Sequence, residues 1–182
     1  PGTRIDRYVV SEQIGHGGFG EVYKARDDQT GNTVAIKVSA HASGDGTGPS
    51  SFRRFTDQQN EIEALIRLSH PSIVAYHSCG QLPDGRLYIV MELVTGLSLA
   101  ERIEQRKLEP IEAIRIAQKI ADAVAYSHEC GILHLDIKPQ NIILVDFIDP
   151  LEPKIKVLDF GIARLTQALQ IGATMAAGTI AY

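Results

Sequence analysis

Apolar residues recur along this chain in two rhythms, and the change from one to the other divides it. Up to about residue 93 the short rhythm prevails. Tyr8–Gly15 (Y-V-V-S-E-Q-I-G), Glu21–Arg26 (E-V-Y-K-A-R), Thr33–Ser39 (T-V-A-I-K-V-S), Ile73–Cys79 and Leu87–Leu93 are short runs rich in β-branched residues, bounded by turn formers. That pattern predicts strands. Successive strand side chains face opposite ways, so Val34, Ile36 and Val38 share one face while Ala35 and Lys37 share the other. The turns D-D-Q-T-G-N and Q-L-P-D-G-R close hairpins between neighbours. The expected product is a five-stranded antiparallel sheet.

One helical run interrupts the strands. Phe52, Phe55, Ile62, Leu65, Ile66 and Leu68 recur at helical spacing until His70-Pro71 ends them. Ahead of it, residues 41–51 (H-A-S-G-D-G-T-G-P-S-S) lack apolar periodicity and are expected to be a flexible insertion. Beyond residue 94 the helical rhythm takes over, with Gly96 at the joint. Ser98 and Glu101 form a capping box for a short helix, and Pro110 suits the first turn of a longer one reaching about Glu129. Ile114, Ala117, Ala121, Val124 and Ala125 supply the apolar stripe expected of that helix. I-I-L-V after Asn141 and I-K-V-L before Asp159 then predict a small hairpin.

Composition narrows the class without naming a chemistry. With 182 residues, 44% hydrophobic and 22% charged, the chain has the balance of a soluble globular domain. A net charge of -4 makes no electrostatic case for nucleic acid or an anionic membrane. No run approaches the length of a membrane span, and no signal peptide is recognisable. Cys79 and Cys130 lie far apart without metal-ligand spacing, as expected of thiols in a reducing compartment. The start at Pro1 and the stop at Tyr182 in mid-pattern suggest a portion of something longer.

Chemistry concentrates in I-L-H-L-D-I-K-P-Q-N, residues 132–141. Pro139 bars a regular helix, so Asp136, Lys138 and Asn141 share a loop. There Asp136 could take a proton from an attacking hydroxyl, Lys138 could neutralise charge on a transferring group, and Asn141 could offer a neutral oxygen to a metal. That division of labour suits phosphoryl transfer. Upstream, G-H-G-G-F-G places glycines at 15, 17 and 20 with Val22 beyond, leaving backbone N–H groups free to approach phosphates. A dinucleotide fingerprint has the same spacing but opens a helix, whereas Glu21–Arg26 alternates as a returning strand. Small Ala35 beside Lys37 leaves room for a flat base while the ammonium reaches phosphates.

With H-L-D-I-K-P-Q-N, G-x-G-x-x-G-x-V, V-A-I-K and D-F-G in this order, the chain resembles the catalytic domain of eukaryotic-type serine/threonine protein kinases, bacterial members included, cut after the activation segment. The resemblance implies an α+β, protein-kinase-like two-lobe fold. Residues 1–94 would be an ATP-binding lobe of five strands and one helix, and 95–182 an incomplete, mainly helical lobe. It implies Asp136 as catalytic base, with Lys138, Lys37, Glu61 (paired to Lys37) and Thr179 as further catalytic positions. Nucleotide contacts would come from Ile14, Gly15, Gly17, Gly20, Val22, Ala35, Lys37, Met91, Glu92, Val94, Ser98 and Ile143. Asn141 and Asp159 would hold Mg²⁺, or Mn²⁺, beside ATP. Leu65, Tyr76, His134 and Phe160 would form the family's regulatory stack, with His134 structural rather than a base.

Further expectations come with it. Lys138 points to Ser or Thr acceptors on protein substrates, in the cytoplasm or on the cytoplasmic side of a membrane-anchored protein; the resemblance is silent on oligomeric state. Leu135 stands where the family usually has Arg, so phosphorylation of Thr166 or Thr174 should not be an essential on-switch. The piece alone should expose apolar surface and be poorly stable or inactive. A nucleotide-binding pseudokinase or scaffold is the alternative, and a small-molecule phosphotransferase a more distant one.

Overall fold

The computed structural model describes residues 2–17, 20–42, 64–145, 149 and 151–160. Glu61, Thr166, Thr174 and Thr179 lie outside them, as does most of the helix expected before His70. The N-terminal part is an antiparallel sheet of six strands in the order β1-β2-β3-β4-β6-β5: Arg4–Ile5 (β1), Tyr8–Gly17 (β2), Gly20–Asp27 (β3), Thr33–Ala42 (β4), Tyr76–Gln81 (β5) and Arg86–Glu92 (β6). Five of these answer to the runs read from the sequence. The sixth corrects the expected count, since two residues are too few to show alternation. It forms because Asp6, at φ 52°, turns the chain back so that Arg4 pairs with Val9 and Ile5 with Tyr8. Aspartate tolerates this left-handed conformation better than most residues.

The strand expected from Ile73 begins three residues late, at Tyr76. Ile73 instead bridges Val157 in parallel, Val74 N–H donates to Val157 O at 3.0 Å, and Val157 N–H donates to Ser72 O at 2.8 Å. These apolar residues stitch the sheet side of the molecule to the hairpin that carries Asp159. Alternation in β4 falls as expected. Val34, Ile36 and Val38 join Ile5, Tyr8, Val10, Ala25, Tyr88 and Val90 in one core, while Ala35 faces the second. That second core runs from Met91, Tyr76 and Leu65 through Phe160 and Val157 to Leu144, Leu99 and Ile116, so it spans both halves. Each fully buried aliphatic side chain there contributes about 1.5–3 kcal/mol.

The C-terminal part holds a three-stranded sheet, β7-β8-β9, from Leu97–Ser98 (β7), Ile142–Val145 (β8) and Lys154–Val157 (β9), with helices Leu99–Gln105 (α1) and Pro110–Glu129 (α2). The expected hairpin is β8-β9. Gly96 makes β7 possible, because a Cβ there would run into the Leu144 carbonyl where the chain passes over β8. At α1 the capping box closes as its spacing predicts, Glu101 N–H donating to Ser98 Oγ at 3.1 Å and Ser98 N–H to Glu101 Oε2 at 2.8 Å. Pro110 opens α2.

The stripe expected on α2 is wrong in phase. Ile114, Ala117, Ala121 and Ala125 are exposed, Val124 is half-buried, and Glu112, Ile116, Ala123 and Ser127 face inward. An ion pair accompanies this phase: Glu112 is 1% exposed and accepts from Arg102 Nη2 at 2.5 Å, with Arg106 Nη2 at 3.5 Å. A buried carboxylate with its own guanidinium can sit where hydrophobicity alone would place an isoleucine. The alanines, which weighed in the expected stripe, lose little by exposure.

Candidate active site

Lys37 reaches the site because β4 alternates. It shares the inward face with Ala35, is 9% exposed, and its Nζ donates to Asp159 Oδ2 at 2.8 Å across 122 positions of sequence. Asp159 follows β9 after one residue, Leu158, and takes a left-handed φ of 62°, which aspartate adopts more readily than most residues but still at some cost. Its neighbours hold it there. Leu158 N–H donates to Asn141 O at 2.8 Å, Leu158 O accepts from His134 Nε2 at 2.7 Å, and the Phe160 ring meets His134 edge-on at 4.5 Å. Phe160 N–H donates to the Tyr76 hydroxyl at 3.1 Å.

The loop at 132–141 adopts a second left-handed residue, Leu135 at φ 64°, with its side chain 59% exposed. Past it, Asp136 is the hub. Lys138 Nζ lies 2.7 Å from Asp136 Oδ2, and Asn141 Nδ2 donates to Asp136 O at 2.9 Å and to Oδ2 at 3.2 Å. The hydrogen bond from Lys138 comes first among the groups that hold the Asp136 carboxyl below the usual range, against some desolvation. Pro139–Asn141 is a single 3₁₀ turn that brings Asn141 back beneath the aspartate. Burial pushes the His134 imidazole down, and both nitrogens are spent on backbone: Nε2 donates to Leu158 O and Nδ1 accepts from Asp136 N at 3.2 Å. A neutral ring so engaged is a strut, in agreement with the structural part expected of it.

The remaining residues expected at the nucleotide site are placed as follows. Ala35 sits opposite Met91 in register, Val22 opposite Lys37, and Met91 is buried. Val94 and Val22 pack half-buried against the shared core, and Ile14 is 46% exposed. Ile143 pairs with Ser98, whose hydroxyl is engaged by Glu101 at 2.7 Å. The three glycines differ. A Cβ on Gly20 would strike the Val38 carbonyl, whereas one on Gly17 would meet nothing within 4 Å and one on Gly15 only ordinary contact with Val22. The fold demands glycine at 20 and leaves the other two positions open.

Two side chains make contacts that no sequence motif predicts. The Glu92 carboxylate accepts from Ala75 N at 3.0 Å and pairs with Lys156 Nζ at 2.5 Å, and the Tyr76 hydroxyl accepts from Phe160 N–H. Strand pairing far apart in sequence creates both, and no local motif announces either. Asn141 and Asp159 suit a hard divalent cation: one carboxylate and one amide oxygen, the amide nitrogen being held by Asp136.

A glycine turn and a lysine on an antiparallel sheet, above a mainly helical part whose loop and hairpin present Asp136, Asn141 and Asp159, define the protein-kinase-like two-lobe class. The chain belongs to the protein kinase domain family, whose model matches residues 8–182. It is 35% identical over 170 residues to the serine/threonine-protein kinase pkn3 of Myxococcus xanthus, covering 91% of this chain and 29% of that protein. It is 38% identical over 169 residues to serine/threonine-protein kinase PknB of Mycobacterium tuberculosis, covering 90% and 25%. Among solved structures, the Mycobacterium tuberculosis PknI kinase domain superposes with a TM-score of 0.70 at 29% identity, over 88% of this chain and 62% of that one. The chain thus spans about a quarter to two fifths of the length of the curated relatives it matches. ATP and a divalent metal are the family's general requirements. No helix among the described residues is long and apolar enough to cross a membrane.

Proposed function

We propose that this chain carries the nucleotide site and reacting groups of a kinase that transfers the γ-phosphoryl group of ATP to Ser or Thr hydroxyls of proteins, with Mg²⁺ as the working metal. The observation that carries the reading is the convergence of Lys37, Asp159, Asn141 and Asp136: a 2.8 Å ion pair, then Leu158 N–H to Asn141 O at 2.8 Å, then Asn141 to Asp136 at 3.2 Å. Separate parts of the chain are linked into one charged cluster of the kind phosphoryl transfer needs.

In this reading Asp136, ionised at neutral pH, orients the acceptor hydroxyl and takes its proton, with Asn141 and Lys138 fixing the carboxylate. Lys138 is also placed to neutralise charge on the group in flight. Lys37 exchanges its present partner for phosphate oxygens, helped by Glu61. Asp159 and Asn141 would hold the metal, which would offset the negative charge of the triphosphate. Open backbone at Gly15 and Gly17 approaches the phosphates; Ala35, Val22, Met91, Ile143 and Ile14 enclose the base, and backbone at Glu92 and Val94 meets its edge. Thr179, which lies outside the described residues, would by resemblance favour Ser/Thr acceptors. The domain works in the cytoplasm, where ATP and magnesium are available.

The test is phosphate transfer from γ-labelled ATP by the full-length protein to Ser/Thr-containing and to Tyr-only peptides, with magnesium and without. Magnesium-dependent label on Ser or Thr that disappears in Asp136→Asn is the expected result. Nucleotide binding with no transfer, unchanged by Asp136→Asn, would instead favour a pseudokinase. Label on a sugar or an antibiotic would favour a small-molecule phosphotransferase.

A further inference from the structure

Tyr76 belongs to the stack with Leu65, His134 and Phe160 through its ring, and a phenylalanine would fill that space equally well. Its hydroxyl is what packing leaves unexplained. The residue is 3% exposed, so the oxygen gives up water and gains in exchange the Phe160 N–H at 3.1 Å, with the Asp159 backbone amide also directed at it. Desolvation, followed by the nearby Asp159 charge, pushes the phenol far above the usual tyrosine range, so it stays neutral.

The bond falls at a strained place. Asp159 holds φ 62° between two pinned neighbours. Leu158 is pinned from below, its N–H to Asn141 and its carbonyl to His134. Phe160 is pinned by its ring on His134 and by its N–H on Tyr76. Of these ties, only the one to Tyr76 comes from the six-stranded sheet, the same sheet that presents Lys37 to the Asp159 carboxylate. Tyr76 starts β5 opposite Met91, in the middle of the shared core, and has no freedom to follow a moving peptide. Without the hydroxyl, Phe160 N–H would be buried with no acceptor, and the cheapest relief is rotation of the Asp159–Phe160 peptide out of its left-handed conformation.

We propose that the Tyr76 hydroxyl is a positioning group for Asp159: by accepting from Phe160 N–H it holds that aspartate's backbone in the conformation that faces its carboxylate toward Lys37 and the divalent cation. The inference rests on the kinase reading in taking Asp159 as a metal ligand. It adds a polar function to a residue otherwise assigned to apolar packing.

The experiment compares wild-type full-length protein with Tyr76→Phe, and with Tyr8→Phe as control. Tyr8 is also buried, 1% exposed on the same sheet, and its hydroxyl meets Ser78 Oγ at 3.0 Å, away from residues 158–160. Without nucleotide, Tyr76→Phe should speed hydrogen exchange at the Phe160 amide about tenfold, the span of one net hydrogen bond. At saturating ATP, the Mg²⁺ concentration giving half-maximal rate should rise about three- to tenfold, while KM for ATP at saturating Mg²⁺ and kcat there stay within about twofold. Tyr8→Phe should move neither quantity. Loss of kcat at all magnesium concentrations with an unchanged metal requirement would reduce Tyr76 to packing and overturn the proposal, as would tighter metal binding in Tyr76→Phe. If that variant fails to fold, wild type alone decides: saturating ATP with Mg²⁺ should slow exchange at the Phe160 amide, and equal rates with and without metal refute the coupling. A wild type that binds nucleotide with no metal dependence would instead refute the kinase reading of Asp159.

Discussion

Two ion pairs in this molecule look alike on paper and are built for opposite ends. Arg102–Glu112, at 2.5 Å, has side chains 8% and 1% exposed, and Arg106 and the Glu109 amide add further donors to the same carboxylate. Lys37–Asp159, at 2.8 Å, has a lysine 10% exposed and an aspartate 30% exposed, and the carboxylate faces a site where a second cation would compete for it. The first is enclosed by enough hydrogen bonds that its charges have nowhere else to go. The second is held on a strained backbone and left open on one side, as a pair must be if its members are to exchange partners. Burial on both sides therefore suits a structural pair, and asymmetric exposure is what the proposed kinase chemistry asks of Lys37–Asp159.

The contrast is broken most severely at Glu112. Removing one member of an enclosed pair strands the other, so Glu112→Ala should cost about 3–5 kcal/mol of folding stability, read as a lower urea midpoint for the full-length protein. A midpoint unchanged within error would mean that solvent reaches Arg102 and that the enclosure argument is wrong. Lys37→Met is the counterpart. The aspartate left behind can turn to water, so stability should barely change while phosphate transfer falls about 10²–10³-fold. A destabilisation rivalling that of Glu112→Ala would erase the distinction between the two pairs.

How much of this was legible beforehand follows the same division. Local rules found the strands around Lys37, the Ser98 cap, the Pro110 start and the loop holding Asp136, because each is written within a few neighbouring residues. The phase of α2 was not legible, since its inward face includes Glu112, a carboxylate whose burial beside Arg102 is a tertiary pairing that no local pattern shows. β1 was too short to show a period, and Ile73–Ala75 read as strand because bridging to Val157 also selects apolar residues. Within the site, motifs named Asp136, Asn141 and Asp159 but not the contacts that hold them. The 2.9 Å bond from Asn141 to the Asp136 carbonyl and the bond from Phe160 to Tyr76 depend on how the chain closes. Glu61 and Thr179, assigned by resemblance, lie outside the described residues.

The glycine turn sharpens the comparison at smaller cost. Gly20 sits at φ 130° with the Val38 carbonyl in the way of any Cβ, so Gly20→Ala should destabilise by about 1–3 kcal/mol. Gly17 has open space, so Gly17→Ala should leave the melting temperature within about a degree and raise KM for ATP several-fold by crowding the phosphates. Equal effects of the two alanines on stability would mean that neither the left-handed φ nor the Val38 carbonyl sets Gly20 apart.

The smallest effect is on pH. Burial lowers the His134 and His70 imidazoles from the ordinary value of 6.5. A histidine whose folded pKa is depressed stabilises fully where both states are neutral, above pH 6.5. As pH falls through that value the unfolded chain binds protons first, and stability declines until the folded pKa is reached, by at most about 1.4 kcal/mol per pH unit for each ring. The Asp136 contribution is separate. Its folded pKa is also depressed, but from the carboxylate value of 3.8, so its stabilisation is intact above that pH and is lost only as pH falls toward the folded value. Urea midpoints at pH 7.5 and 5.5 should therefore differ with no carboxylate involved. His70→Asn should remove only part of the difference, since asparagine can still accept from Ser72 N–H as His70 Nδ1 does at 3.1 Å, while His134 keeps its share. Because His134 is the strut beneath Leu158 and Phe160, the remaining decline should be matched by a lower protection factor at the Phe160 amide at pH 5.5, the exchange rate being compared with the intrinsic rate at each pH. A decline in midpoint without that local loosening would place the sensitivity elsewhere than at the strut.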